Sequence, residues 1–256
     1  MELDRRDFLK LSLTAGAAGA LSGAISVFDK DANAAPTKEE FEPLPNIKVG
    51  GIIRPPGALS EKEFRAKCIS CGVCVNVCHT MKYDTLSIAG LGDLKNFGLP
   101  YVKDTRDFPC ALCMECPKSC PTGALQPVKK EDVKMGMALI DLSICFGWNG
   151  DVCLSCSKAC PMGASIFDFY NGEWGNQPMI NDKCVGCGLC VKYCPLGGSA
   201  IKVITRDEYK KVKDEYLADF RKTISLSNEE RYNLVYGINL PMIMSRGRMI
   251  EREYRD

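Results

Sequence analysis

The residues with the clearest chemistry are the cysteines of Cys184-Val185-Gly186-Cys187-Gly188-Leu189-Cys190-Val191-Lys192-Tyr193-Cys194-Pro195. In the spacing C-x-x-C-x-x-C-x-x-x-C-P, three thiolates hold one [4Fe-4S] cluster and the fourth ligates the other cluster of a pair. Two-residue gaps let a tight loop wrap one corner of a cube, and Gly186 and Gly188 let the backbone come close enough for amides to donate to sulfur. Pro195 has a fixed φ and no N–H, and turns the chain away after the last ligand.

The same spacing recurs at Cys68, Cys71, Cys74 and Cys78, and at Cys110, Cys113, Cys116 and Cys120, the latter followed by Pro121. A stretched version has Cys145, then Cys153, Cys156 and Cys160 before Pro161, with a seven-residue insert after the first cysteine. Four runs of four use all 16 cysteines. Because the fourth cysteine of a run serves another run's cluster, the runs must work in pairs, and the expected cofactors are four [4Fe-4S] clusters. A disulfide framework has no need of a repeated two, two, three spacing with proline behind it. Structural zinc usually takes two C-x-x-C pairs, which leaves the third close cysteine surplus.

The elements that must position these runs are short. Segments 86–89, 124–128, 165–169 and 200–204 each follow a run and read as strands, and 137–141 and 179–181 lead into runs as their partners. Ser60 and Glu63 have the spacing of a capping box for a helix leading into Cys68. The expected fold class is α+β, with two ferredoxin-like bis-[4Fe-4S] units over residues 60–204. Ordinary core is scarce, so the clusters themselves are expected to hold much of the fold together.

Residues 1–34 read as a twin-arginine export signal: Arg5-Arg6 is followed by Phe8-Leu9-Lys10, an Ala/Gly-rich run, and a small-x-small site at Ala32-Asn33-Ala34. The oxidising periplasm would drive free thiols to disulfides, so clusters inserted before export of the folded chain explain the signal, and the signal explains how the cysteines survive. Residues 35–59 form an extended, Pro/Gly-rich arm whose Ile47, Val49, Ile52 and Ile53 are expected to pack on the cluster region. Residues 205–256 form a helical tail, with capping boxes at Thr205/Glu208 and Ser227/Glu230, an apolar stripe of Tyr209, Val212, Tyr216, Leu217 and Phe220, and Gly237 as a helix stop. Its last segment, 238–256, joins Leu240-Pro241-Met242-Ile243-Met244 to Arg246, Arg248, Arg252 and Arg255, and could dock a partner at the membrane surface.

A formal net charge of +1 gives no nucleic-acid surface. Nothing after the signal is apolar enough over 18 residues to span a membrane. No dinucleotide fingerprint and no nucleophile with a base beside it is found, and the default chemistry is one-electron transfer without a substrate site. His79, the single histidine, stands where the other runs have proline. It either couples a proton to a neighbouring cluster or fills a surface turn. The insert 146–152 is expected to loop over a cluster, with Phe146 and Trp148 shielding it.

Several stretches together resemble the MauM/NapG family of periplasmic ferredoxin-type proteins: the twin-arginine start, Arg54-Pro55-Pro56-Gly57-Ala58, Arg106-Asp107-Phe108-Pro109-Cys110, Met135-Gly136-Met137-Ala138 and the stretched run from Cys145 to Pro161. The resemblance runs from the signal to about Ile204. It implies a quinol dehydrogenase component that passes electrons from membrane quinol, with a membrane-bound NapH-type iron–sulfur partner, to a periplasmic nitrate reductase or its cytochrome subunit. It also implies all sixteen cysteines as ligands. The alternatives are an electron-transfer subunit of another exported respiratory enzyme (polysulfide, dimethyl sulfoxide or nitrite system) and an assembly or redox-sensing protein with structural clusters. By analogy with four-cluster subunits of molybdenum oxidoreductases, the first run would pair with the fourth and the second with the third.

Overall fold

The computed structural model describes residues 51–196 and 200–246. The export signal, the arm up to residue 50 with Ile47 and Val49, and the tail arginines Arg248, Arg252 and Arg255 lie outside the described residues.

The first two cysteine runs lie on α1 (Glu61–Lys67), α2 (Val73–Thr80) and α3 (Glu115–Lys118), with β1 (Leu86–Ile88) and β2 (Pro100–Val102) between them. The last two runs follow the same plan: β3 (Met137–Ile140), α4 (Ser155–Ala159), β4 (Phe167–Gly172), β5 (Gly175–Ile180), α5 (Leu189–Lys192) and β6 (Ile201–Ile204). Three two-stranded antiparallel sheets result. β1 pairs β2 and β4 pairs β5, each hairpin lying between the two runs of its pair. β3 pairs β6 with Met137 opposite Ile204, so the chain entering the third run is zipped to the chain leaving the fourth. An isolated bridge, Ala58 to Leu125, closes the first two runs in the same way. The Leu59 N–H donates to the Ala124 carbonyl at 3.2 Å, and the Gln126 N–H to the Gly57 carbonyl at 2.7 Å.

Residues 124–128 therefore form one bridge rather than the expected strand, because the arm offers them only a turn at Gly57. That turn needs glycine: φ is +76°, and a Cβ would sit 2.2 Å from the Gln126 carbonyl oxygen. Beside it Arg54 is buried, donating to the Pro100 carbonyl at 3.1 Å and pairing with Glu61 at 2.7 Å. Its guanidinium hydrogen bonds hold the Glu61 carboxyl below the usual carboxylate range. The Arg-Pro-Pro-Gly stretch thus locks the arm onto α1 and β2, and Ile53 is buried as expected.

The capping boxes divide. Thr205 and Ser227 form them in full, each accepting from the N3 backbone while Glu208 and Glu230 reach back. Ser60 does not: its hydroxyl meets the Glu63 carboxylate at 2.6 Å, as the other two meet theirs, but it accepts from no helix amide. Past β6, α6 (Arg206–Ser225) buries Tyr209, Tyr216 and Phe220 at spacings of seven and four, one face of a helix of about 30 Å. Each such side chain contributes on the order of 2 kcal/mol. α7 (Asn228–Leu234) does not stop at Gly237; a π-helical turn, Val235–Asn239, carries the chain on into α8 (Leu240–Arg246). Among the described residues no helix is long and apolar enough to cross a membrane.

Candidate metal centres

The cysteines gather in four sets, each taking three thiols from one run and one from its neighbour. Cys68, Cys71, Cys74 and Cys120 line one cavity with Phe64, Pro121 and Leu125, and Cys78, Cys110, Cys113 and Cys116 line a second with Leu86 and Met114. Cys160, Cys184, Cys187 and Cys190 line a third cavity with Ile166, Phe167 and Ile180. Cys145, Cys153, Cys156 and Cys194 form the remaining set, in which the Cys145 and Cys156 thiols act on each other and on Cys194. These are called the first, second, fourth and third sites after the run that supplies three thiols.

This overturns the expected pairing of the first run with the fourth and the second with the third. Cys78 stands with Cys110, Cys113 and Cys116, and Cys120 with Cys68, Cys71 and Cys74. The reason is the closure of each pair of runs on itself, by the Ala58–Leu125 bridge and by the β3–β6 ladder. Helical pitch completes the arrangement: Cys74 and Cys78 are one turn apart on α2, so one helix feeds two sites.

Local backbone geometry explains how three thiols face one point. In three runs the residues flanking the second cysteine are both left-handed: Ser70 and Gly72, Leu112 and Met114, Gly186 and Gly188, with φ between 54° and 83°. Glycine takes this conformation freely, whereas Leu112 and Met114 each carry roughly 1–2 kcal/mol of strain. The turn aims amides at sulfur, as where the Gly186 N–H donates to Cys184 Sγ at 3.4 Å. The third run does this differently. Its insert makes a tight turn, Phe146–Trp148, from which the Gly147 and Trp148 N–H groups point at the Cys145 sulfur.

Burial is the main influence on the thiols. It pushes Cys74 and Cys187 up to about 11, and Cys110, Cys145 and Cys156 up to about 12, with the neighbouring cysteines adding to the shift. Cys116 and Cys190 are raised further for the same reason. At Cys120 burial also acts upward, but the Leu125 N–H and the Thr122 hydroxyl outweigh it and hold the thiol below its ordinary value. Several like charges cannot be gathered here without a cation to compensate them.

The donor sets fit a cluster better than a single ion. Among the described residues no three His, Cys, Asp or Glu side chains converge closely enough to hold one metal ion.

Asn149, Arg231 and Asn239 around the third site carried no signal in the sequence, and Tyr216 was legible there only as part of an apolar stripe. Asn149 donates to the carbonyls of Leu142, Ser143 and Cys145, and its own Oδ1 accepts from Asn239 at 2.8 Å. Arg231 is buried over Trp148 and Trp174 and donates to the Trp148 carbonyl at 2.8 Å. Tyr216 accepts from the Ile140 N–H at 3.2 Å and donates to the Ile140 carbonyl at 3.0 Å. Trp148, expected to shield a cluster, lies instead against α6, edge-on to Phe220 at 5.3 Å. His79 is exposed, with Nδ1 2.6 Å from Asp84 Oδ1.

Comparison with known proteins agrees with the site chemistry. Residues 2–22 match the twin-arginine translocation pathway signal sequence, which points to export to the periplasm, and residues 65–83 and 178–197 each match a 4Fe-4S binding domain. The methylamine utilization ferredoxin-type protein MauM of Methylorubrum extorquens is 34% identical over 216 residues, 79% of this chain and 90% of the relative. MauM of Methylobacillus flagellatus is 38% identical over 168 residues, 61% of this chain and 69% of the relative. The ferredoxin-type protein NapG of Escherichia coli is 34% identical over 214 residues, 78% of this chain and 85% of the relative. No solved structure matches the chain. With the cysteine sets in place, these likenesses show that the chain belongs to the MauM/NapG family of ferredoxin-type iron–sulfur electron-transfer proteins.

Proposed function

We propose that this chain carries four [4Fe-4S] clusters in two bis-cluster units and passes electrons from membrane quinol, received through a NapH-type iron–sulfur protein, toward a periplasmic nitrate reductase or its cytochrome subunit. The observation that carries the reading is the distribution of all sixteen cysteines into four sets of four, with one thiol exchanged between neighbouring runs. A [4Fe-4S] group held by four thiolates has no open position and supplies one-electron transfer. The chain's own residues bury the thiols, aim amides at sulfur and keep apolar side chains such as Phe64 and Ile180 against the cavities, which are the levers that set a potential. We assign the chain no substrate site of its own: its one histidine is exposed and occupied by Asp84. Its place is the periplasmic face of the membrane, held there by its partner.

A second reading has a specific observation in its favour, namely that relatives named for methylamine utilization match at 38% identity, at least as well as those named NapG. In that reading the same four-cluster carrier serves amine oxidation.

The test is iron and sulfide content of anaerobically purified protein, followed by a redox titration monitored by electron paramagnetic resonance. About sixteen irons and several signals that titrate stepwise are expected. Zinc in their place, or signals that never titrate, overturns the electron-transfer reading. Reoxidation of the reduced protein by nitrate with a periplasmic nitrate reductase, against its reduction by a methylamine-oxidising system, separates the two roles.

A further inference from the structure

Resting on the four-cluster reading, we infer that the four sites stand in one unbranched row, in the order first, second, fourth, third, with the second and fourth meeting at the Cys110–Cys187 backbone contact and Cys71 marking the solvent-facing end. The order differs from the order of the runs in the chain.

Within each pair of runs the neighbours are set by helical pitch. Cys74 belongs to the first site and Cys78 to the second, four residues apart on α2, and Cys116 and Cys120 repeat the exchange at α3. A turn of helix is about 5.4 Å, so the first and second sites are adjacent. Cys156 and Cys160 at α4 join the third and fourth sites in the same way.

Between the two pairs, the loop of the second site meets the loop of the fourth. The Cys110 N–H donates to the Cys187 carbonyl at 2.8 Å. The approach is close: a Cβ on Gly188 would sit 2.5 Å from the Thr105 Cβ, in the segment that leads into the second run. Gly188 thus lets the fourth run's loop close on the segment that leads into the second site.

The row is open at one end. Of the sixteen cysteines Cys71 alone is exposed; the rest are buried or half-buried. With [4Fe-4S] clusters held in the four sets, a row of this order would allow one-electron transfer between neighbouring sites from the Cys71 end to the Cys153 end, with no bond made or broken.

The experiment uses the full chain, reduced anaerobically with dithionite, and reads magnetic interaction between sites by electron paramagnetic resonance. Cys71→Ala should remove one cluster's iron and sharpen the second site's signal alone. Cys113→Ala should sharpen both the first and the fourth, and Cys153→Ala the fourth alone. A change at the third or fourth site on losing Cys71 overturns the row. Gly188→Ala keeps every ligand and collides with Thr105, in the segment that leads into the second run, so it should weaken the interaction between the second and fourth sites while leaving those within each pair; the reverse pattern also overturns it. A water-soluble dysprosium chelate should speed relaxation of the first site most, and equal effects on all four remove the open end. If the unaltered chain holds far fewer than about sixteen irons, the four-cluster reading falls and the row with it. Sixteen irons with a different interaction pattern sink the row alone.

Discussion

The Cys110 N–H donates to the Cys187 carbonyl at 2.8 Å, joining a ligand of the second run to a ligand of the fourth across the junction of the two pairs. Each cysteine spends its side chain on its own site and its backbone on the other's loop. Two sites assembled by separate stretches of chain are thereby fixed to one another by covalent neighbours of the ligands themselves, with no side chain in between.

The exchange of fourth ligands predicts which centre each variant loses. Cys78→Ala should empty the site of Cys110, Cys113 and Cys116, and Cys194→Ala that of Cys145, Cys153 and Cys156, while the other sites keep their iron. Iron content with site-resolved resonance signals reads this directly. Loss of the Cys184, Cys187 and Cys190 site in Cys78→Ala would restore the pairing of first run with fourth.

Arg231 is the buried cation that ties the tail to the third run. Arg231→Ala leaves the carbonyls of Trp148 and Thr223 without their donor and removes the cation from two indole faces. A loss of about 2–4 kcal/mol is expected, read as a lower unfolding midpoint. The chain has only two tryptophans, and Arg231 touches both, so the fluorescence spectrum should change as well. Arg231→Lys should rescue the charge but not the paired carbonyls, and recover less than half of the loss.

Tyr216 holds the outer edge of β3 through both polar groups of Ile140. Tyr216→Phe keeps the ring and strands a buried N–H and carbonyl, a cost of roughly 1–3 kcal/mol. Hydrogen exchange at the Ile140 amide should accelerate by about tenfold or more, whereas exchange within the β4–β5 hairpin should stay as it was.

Loading with iron and sulfide should release protons. Burial pushes Cys74 and Cys187 up to about 11 and Cys110, Cys145 and Cys156 up to about 12, so all five are neutral at pH 7 and each must lose a proton to become a ligand. A pH electrode in weak buffer during reconstitution records the release, and loading should be more complete at pH 8.5 than at pH 6.5. The same shifts give the sign for the cluster-free fold. An unfolded thiol titrates near 8.5, so the folded chain holds more protons above that pH. Stability is full below about 8.5 and falls as pH rises toward 11–12, which a series of unfolding midpoints measures.

Much of the chemistry was legible without a structure, because ligand spacing is local. Two-residue gaps fix three thiols around one corner whatever the rest of the chain does, and the same local logic found the Thr205 and Ser227 caps and the Tyr209, Tyr216 and Phe220 stripe. Local patterns also misled. Ser60 has the spacing of a capping box but accepts from no helix amide, and Gly237 lies inside a π-turn that carries the helix onward.

What the sequence by itself determined is that sixteen thiols are presented as four triplets, each with a fourth thiol one turn beyond, in a chain marked for export. Which triplet receives which fourth thiol was a tertiary matter. It depends on Ala58 meeting Leu125 and on Met137 meeting Ile204, contacts between residues 67 positions apart in both cases, and no local spacing encodes them. The order of the sites likewise depends on Cys110 meeting Cys187 and on Gly188 resting against Thr105, contacts across the two pairs that no local spacing encodes.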